Sequence, residues 1–153
     1  MRAAREFLRI VRSPTLRWSL PVVLVSGFVE IALRAMPLPR LSRLLGVALR
    51  LEPDDPHDEP AGPGSPAGLD ARDAARYLAT CRVLRRWPGA RTGVCLRLAL
   101  VAGCLLRHRR PGLHLGVAHV DGHTVAHAWL TIDGIVLDPT AYRYTPLGQG
   151  GVS

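Results

Sequence analysis

The stretch "AHAWLTIDGIVLDPT", residues 126–140, decides how the second half of this chain folds. It is rich in β-branched and aromatic residues, Trp129, Thr131, Ile132, Ile135 and Val136, and Asp133-Gly134 interrupts them. Asp-Gly between two such runs is a strong signal for a two-residue hairpin turn. That turn sets the register: 132 pairs with 135, 131 with 136, 130 with 137 and 129 with 138. His127 lies two residues before Trp129 and so shares its face. Asp138 becomes a diagonal neighbour of His127, within side-chain reach. Asp133, in the turn itself, cannot orient the ring.

A second Asp-Gly, at 121–122, joins "LHLGVAHV" (113–120) to "HTVAHAWLTI" (123–132). It pairs 116 with 127 and 114 with 129. Gly116 thus lies opposite His127 and leaves room there, for example for the end of a preceding helix. With "IVLD" (135–138) the C-terminal part reads as a three-stranded antiparallel meander.

Just before the meander comes "RTGVCLRLALVAGCLLRHRRPG" (91–112). Residues 93–106 are apolar nearly all round apart from Arg97, the mark of a helix buried on most sides. Thr92 is a fair N-cap, which makes Cys95 the third helical residue. A thiol there meets free backbone N–H groups and the positive end of the dipole, which favour an anion and can hold an oxyanion. Cys104 is mid-helix and Cys81 falls in the apolar periodicity of the helix "DARDAARYLATCRVLRR", so both read as packing. Cys95 and Cys104 are half a turn out of phase and roughly 13 Å apart, too far for a disulfide. His108 and the arginines around it suit the helix's C-terminal end.

The first half reads as helices. Residues 2–12 are one, and 15–35 another, with Pro21 as the place for a kink. "RLSRLLGVALR" (40–50) is a third, with Leu41, Leu44, Leu45 and Ala48 at helical spacing. "WSLPVVLVSGFVEIAL" (18–33) is shorter than the roughly 20 residues of a spanning helix and contains Glu30. It reads as buried or partner-facing, with peripheral membrane contact as the lesser alternative. Residues 51–69 are Pro, Gly and acid with little apolar content, a linker. The organisation is therefore an N-terminal helical region (1–50), a linker (51–69) and an α+β core (70–153).

At 153 residues the chain is the size of one domain. Its net charge of +8 comes entirely from arginine, with no lysine. Residues 51–70 hold six acids and no base, while both flanks are basic. No nucleic-acid motif accompanies the charge and aromatics are few, so nucleic-acid binding is not inferred. An odd number of cysteines without a C-x-x-C pair, and no signal-peptide cleavage site, point to a reducing cytoplasm.

Cys, His and Asp in that order make a working set: the His takes the thiol proton, the Asp fixes its tautomer, and the thiolate attacks a carbonyl. The set is Cys95, His127 and Asp138. It requires no cofactor. A metal site built from His114, His127, Asp138 and Cys95 is the rival reading, but its spacing fits no zinc pattern, and His114 more simply packs on Trp129. His119 points to the other face, and His123 is roughly 13 Å along the strand from His127. His57 is a loop residue.

Together "GVCLRLALVAGCLL", "HLGVAHV" and "VAHAWLTIDGIVLDPT" resemble the transglutaminase-like cysteine peptidases of lasso-peptide maturation, the stand-alone leader-peptidase type, over about residues 70–140. The resemblance implies a papain/transglutaminase-like fold, with Cys95 as nucleophile, His127 as base and Asp138 as orienting acid. It implies cleavage between the leader and core of a ribosomally made precursor peptide, followed by ring closure by a separate ATP-dependent lasso cyclase. It also implies a PqqD-like leader recognition protein. Some relatives carry that domain fused; residues 1–50 are helical and too short for it, so a separate protein is expected, with the N-terminal region as a dock for it or for the cyclase. The side-chain donor to the oxyanion is not singled out; Trp87 and Arg91 precede Cys95. Two alternatives remain open: an acyltransferase using the same triad, and a non-catalytic scaffold for precursor and cyclase.

Overall fold

The computed structural model describes residues 18–50, 68–87 and 93–147. The expected helix at 2–12, most of the linker and Thr92 lie outside them. Among the described residues, four α-helices and a five-stranded mixed sheet form an α+β fold. In chain order these are α1 (Ser19–Ala35), α2 (Leu38–Leu45), β1 (Ala48–Arg50), α3 (Ala71–Leu84), α4 (Val94–Leu105), β2 (Gly112–Val120), β3 (His123–Ile132), β4 (Ile135–Val136) and β5 (Thr145–Pro146).

Helix α1 buries Val22, Ser26, Val29 and Ala32, one stripe at helical spacing. Pro21 falls in its first turn, where no N–H is needed, so it causes no interior kink. The helix ends at Met36, extended as the residue before a proline tends to be. No helix of the described residues is long and apolar enough to cross a membrane.

The helix expected over 40–50 is corrected. Gly46 takes the left-handed conformation, φ 72°, and its N–H bonds back to Arg43, which closes α2. The chain then turns into β1, which pairs parallel to β2 from Ala48 opposite Gly112. Strand β5 adds to the same edge of β2, with Gly116 opposite Pro146. The sheet is therefore larger than a three-stranded meander and partly parallel. Both extra strands are too short to show an alternating pattern.

The two hairpins follow the expected register. His127 lies opposite Gly116, Trp129 opposite His114, and Ile132 opposite Ile135. Asp121, Gly122, Asp133 and Gly134 all have positive φ, the backbone of a type I′ turn. Beyond Val136 the ladder continues by one bond, from the Leu137 N–H to the Leu130 carbonyl at 3.0 Å.

Helices α1, α3 and α4 pack on one another, and α4 lies on β3. One core joins Val22, Val29, Leu41, Leu100, Leu113 and Leu130. Gly103 permits the close approach of α4: a Cβ there would sit 2.7 Å from Val47 and 3.4 Å from Leu130. Arg97, the polar exception in α4, binds Glu30 of α1 through Nε at 2.6 Å and Nη2 at 3.2 Å.

His108 does more than suit a helix end. Its Nε2 lies 3.0 Å from Asp73, a carboxylate 1% exposed that also accepts from Arg76 at 2.7 Å. Arg109 stands 3.5 Å from the same carboxylate and donates from Nε to Asp133 at 3.1 Å. A buried charge with several partners is tolerated where an unpaired one is not. The cluster ties the start of α3 to the tip of the β3–β4 hairpin.

Candidate active site

Cys95 is the second residue of α4 and half-buried. The cap position belongs to Gly93, whose φ of 67° only glycine adopts freely. Cys95 is thus one residue nearer the helix start than a cap at Thr92 would place it. In the first turn the backbone N–H groups have no intrahelical partner and remain available to an anion. Burial pushes the thiols of Cys81 and Cys104 upward from their ordinary value, which disfavours their thiolates.

His127 and Asp138 are brought together. The imidazole Nε2 is 2.7 Å from Asp138 Oδ2, with side chains 14% and 23% exposed. Asp138 Oδ1 accepts from the Thr140 N–H at 2.8 Å and from its hydroxyl at 2.7 Å. Burial alone would raise the Asp138 carboxyl; the Thr140 donors and His127 outweigh it, and the group is held below its ordinary value. It is a fixed anion whose second oxygen aims the ring. Because Nε2 faces Asp138, Nδ1 is the nitrogen left for a thiol proton.

Aromatic rings pack the imidazole. Tyr144 stacks on His127 with centroids 4.5 Å apart, and Trp129 lies 6.2 Å from it. Trp129 also stacks on His114, whose Nε2 is 2.9 Å from Thr131 Oγ1. Trp129, Val136 and Ala141 form a second small apolar cluster with Tyr144 against it. The room at Gly116 is taken by this cluster rather than by α4: a Cβ there would meet the Trp129 ring and the Thr145 carbonyl, each 2.8 Å away.

Helix α3 closes the site from another side. The Tyr77 hydroxyl donates to the Leu137 carbonyl at 3.4 Å, just before Asp138. Burial first, then the charges of Cys81 and Asp138, push the Tyr77 hydroxyl well above its ordinary value, so it stays a donor. Cys95 packs against the main core, and among the described residues no hydrogen bond joins it to the His127–Asp138 pair. No group of three His, Cys, Asp or Glu side chains is arranged to hold a metal ion among the described residues.

Thr140 was within reach of sequence reasoning, since Asp-Pro-Thr is an Asx-turn pattern. Tyr144 and Tyr77 carry no local signal; only the fold brings them to the pair.

The family model of the Transglutaminase-like superfamily matches residues 32–148. The chain belongs to that superfamily, whose chemistry is that of cysteine hydrolases and acyltransferases. No curated protein and no solved structure matches it.

Proposed function

We propose that this protein is a cysteine peptidase that removes the leader from a ribosomally made lasso precursor peptide. The observation that carries the chemistry is the 2.7 Å bond between His127 and Asp138, together with a cysteine, Cys95, in the first turn of its helix. His127 Nδ1 takes the thiol proton. The thiolate adds to the scissile carbonyl, and the α4 N–H groups hold the oxyanion. The C–N bond breaks as His127 returns the proton to the leaving amine. Water, deprotonated by the same imidazole, then hydrolyses the thioester and frees the leader.

The leader assignment rests on the resemblance of the Cys95, His127 and Asp138 segments to lasso leader peptidases. In this reading the partners are the precursor, a PqqD-like recognition protein and an ATP-dependent cyclase, in the cytoplasm. The exposed apolar residues of α1, Leu20, Leu24, Phe28 and Ile31, offer the N-terminal region as a dock.

The test is mass spectrometry of the precursor after incubation with this protein and the recognition protein. Cleavage at one leader–core bond is expected, lost by at least about four orders of magnitude in Cys95→Ala. Undiminished cleavage by that variant overturns the assignment. A leader joined to an added amine instead of water identifies an acyltransferase.

A further inference from the structure

Helix α4 carries Cys95 on an almost wholly apolar shaft, and Arg97 is the one charged residue in Val94–Leu105. Apolar burial is non-directional, so it fixes how deep such a helix lies better than how it is turned about its axis. Toward the far end, the close approach of Gly103 to Val47 and Leu130 sets the depth. At the Cys95 end the link to α1 is an ion pair.

The Arg97 side chain leans back toward the start of α4, as helical side chains do. A Cβ on Gly93, the cap residue, would sit 3.1 Å from Arg97 Nη1. The other edge of the guanidinium grips Glu30 of α1, Nε donating to Oε2 at 2.6 Å and Nη2 to Oε1 at 3.2 Å. Glu30 also accepts from Arg34 at 3.2 Å. The main chain of Arg97 closes the same turn. Its N–H donates to the Gly93 carbonyl at 3.2 Å, the first bond of α4. The N–H groups of Val94, Cys95 and Leu96 come before that bond and have no carbonyl within the helix to bind.

Stability does not account for the pair. A cation folded over the positive end of a helix dipole is in the wrong place. The two side chains are 20% and 22% exposed, and ion pairs open to water contribute little. What a guanidinium fork on a carboxylate supplies, and an apolar contact cannot, is direction. Cys95 is two residues from Arg97 and so on the opposite side of α4. The guanidinium therefore acts on it through the backbone of the turn between Gly93 and Arg97.

Building on the peptidase reading, we infer that Arg97, gripped by Glu30, is a positioning residue for the nucleophile. It fixes the rotation of the first turn of α4, and with it the direction from which the Cys95 thiol and the neighbouring N–H groups meet His127 and the scissile carbonyl.

The test is the pH profile of Cys95 alkylation by iodoacetamide, read on the full chain by peptide mass mapping, with precursor cleavage in parallel. Wild-type Cys95 should react well below the ordinary thiol value of about 8.5, and His127→Ala should move the profile up to it. Glu30→Leu/Arg97→Met removes both charges, keeps the net charge and fills the space. It should melt close to wild type. Its alkylation profile should nevertheless rise by about one pH unit, and kcat for cleavage should fall about ten-fold with KM unchanged. Arg97→Lys, which keeps the charge but loses the fork, should fall between. A folded double variant with the wild-type profile and kcat overturns the inference. Where the double variant does not melt cooperatively, Arg97→Lys decides, and wild-type behaviour in it overturns the inference equally. A wild-type profile that His127→Ala leaves unmoved overturns the triad and this role with it. A profile that follows His127 but ignores both Arg97 variants overturns this role alone.

Discussion

On one face of β3, Ala128, Leu130 and Ile132 are 4%, 3% and 1% exposed and belong to the aliphatic core under the helices. On the other, His127 and Trp129 sit among rings and hydrogen-bonding groups, with Tyr144, His114 and Asp138. The strand is one and the same, and its alternation separates two kinds of order. The aliphatic face is stabilised by area removed from water, which is indifferent to which atom touches which. The other face fixes single atoms, each Asp138 oxygen having its own donor. Mutations on the two faces should therefore fail differently, the first in stability and the second in rate.

Asp138→Asn gives the largest expected effect. It keeps the shape but removes the anion that sets the ring, and cleavage should fall by about two to four orders of magnitude. Its effect on melting should depend on pH. The folded carboxyl lies below its ordinary value of 3.8, so its stabilisation is present above that value and lost as pH falls through the folded one. Thermal melts of both proteins should differ at pH 7 and converge below about 3.8, the ordinary value. A constant difference would mean that charge is not what Asp138 contributes.

Leu130→Ala should reverse the pattern. It empties part of the core and should cost about 2–5 kcal/mol, read from denaturant melts, while the surviving folded fraction still cleaves. A folded Leu130→Ala protein without activity would erase the contrast between the faces. Glu30→Ala should cost less, about 1–2 kcal/mol, because it leaves Arg97 half-covered without its carboxylate and the pair is partly exposed. Restoring apolar contact with Glu30→Leu/Arg97→Met should recover most of that loss. Tyr144→Leu should be the mildest, about 1 kcal/mol from the lost ring stack, together with a measurable fall in rate. An unchanged rate would separate the stack from the imidazole's function.

The same contrast explains what the sequence disclosed. Asp121-Gly122 and Asp133-Gly134 are short-range signals, and from them the register, the opposition of His127 to Gly116 and the nearness of Asp138 follow by counting. Strand β1 was hidden because Leu41, Leu44, Leu45 and Ala48 keep helical spacing past Gly46, where the helix ends. The cluster on Asp73 and the stacking of Tyr144 depend on residues 35 and 17 positions away, namely His108 and His127. Such contacts leave no trace in local pattern, since they are consequences of packing. Gly116 was read as an opening, and Trp129 fills it, because a missing side chain says that space exists and not what occupies it.

The measurement that bears most directly on the role of Cys95 is trapping of the acyl-enzyme. Precursor, recognition protein and this protein would be mixed, quenched in acid within the first turnover and mapped by peptide mass spectrometry. The expected result is a thioester adduct with the mass of the leader on Cys95, with Cys81 and Cys104 unmodified and no adduct in His127→Ala. Cleavage that proceeds with the adduct on another residue, or undiminished when His127 is gone, would contradict it.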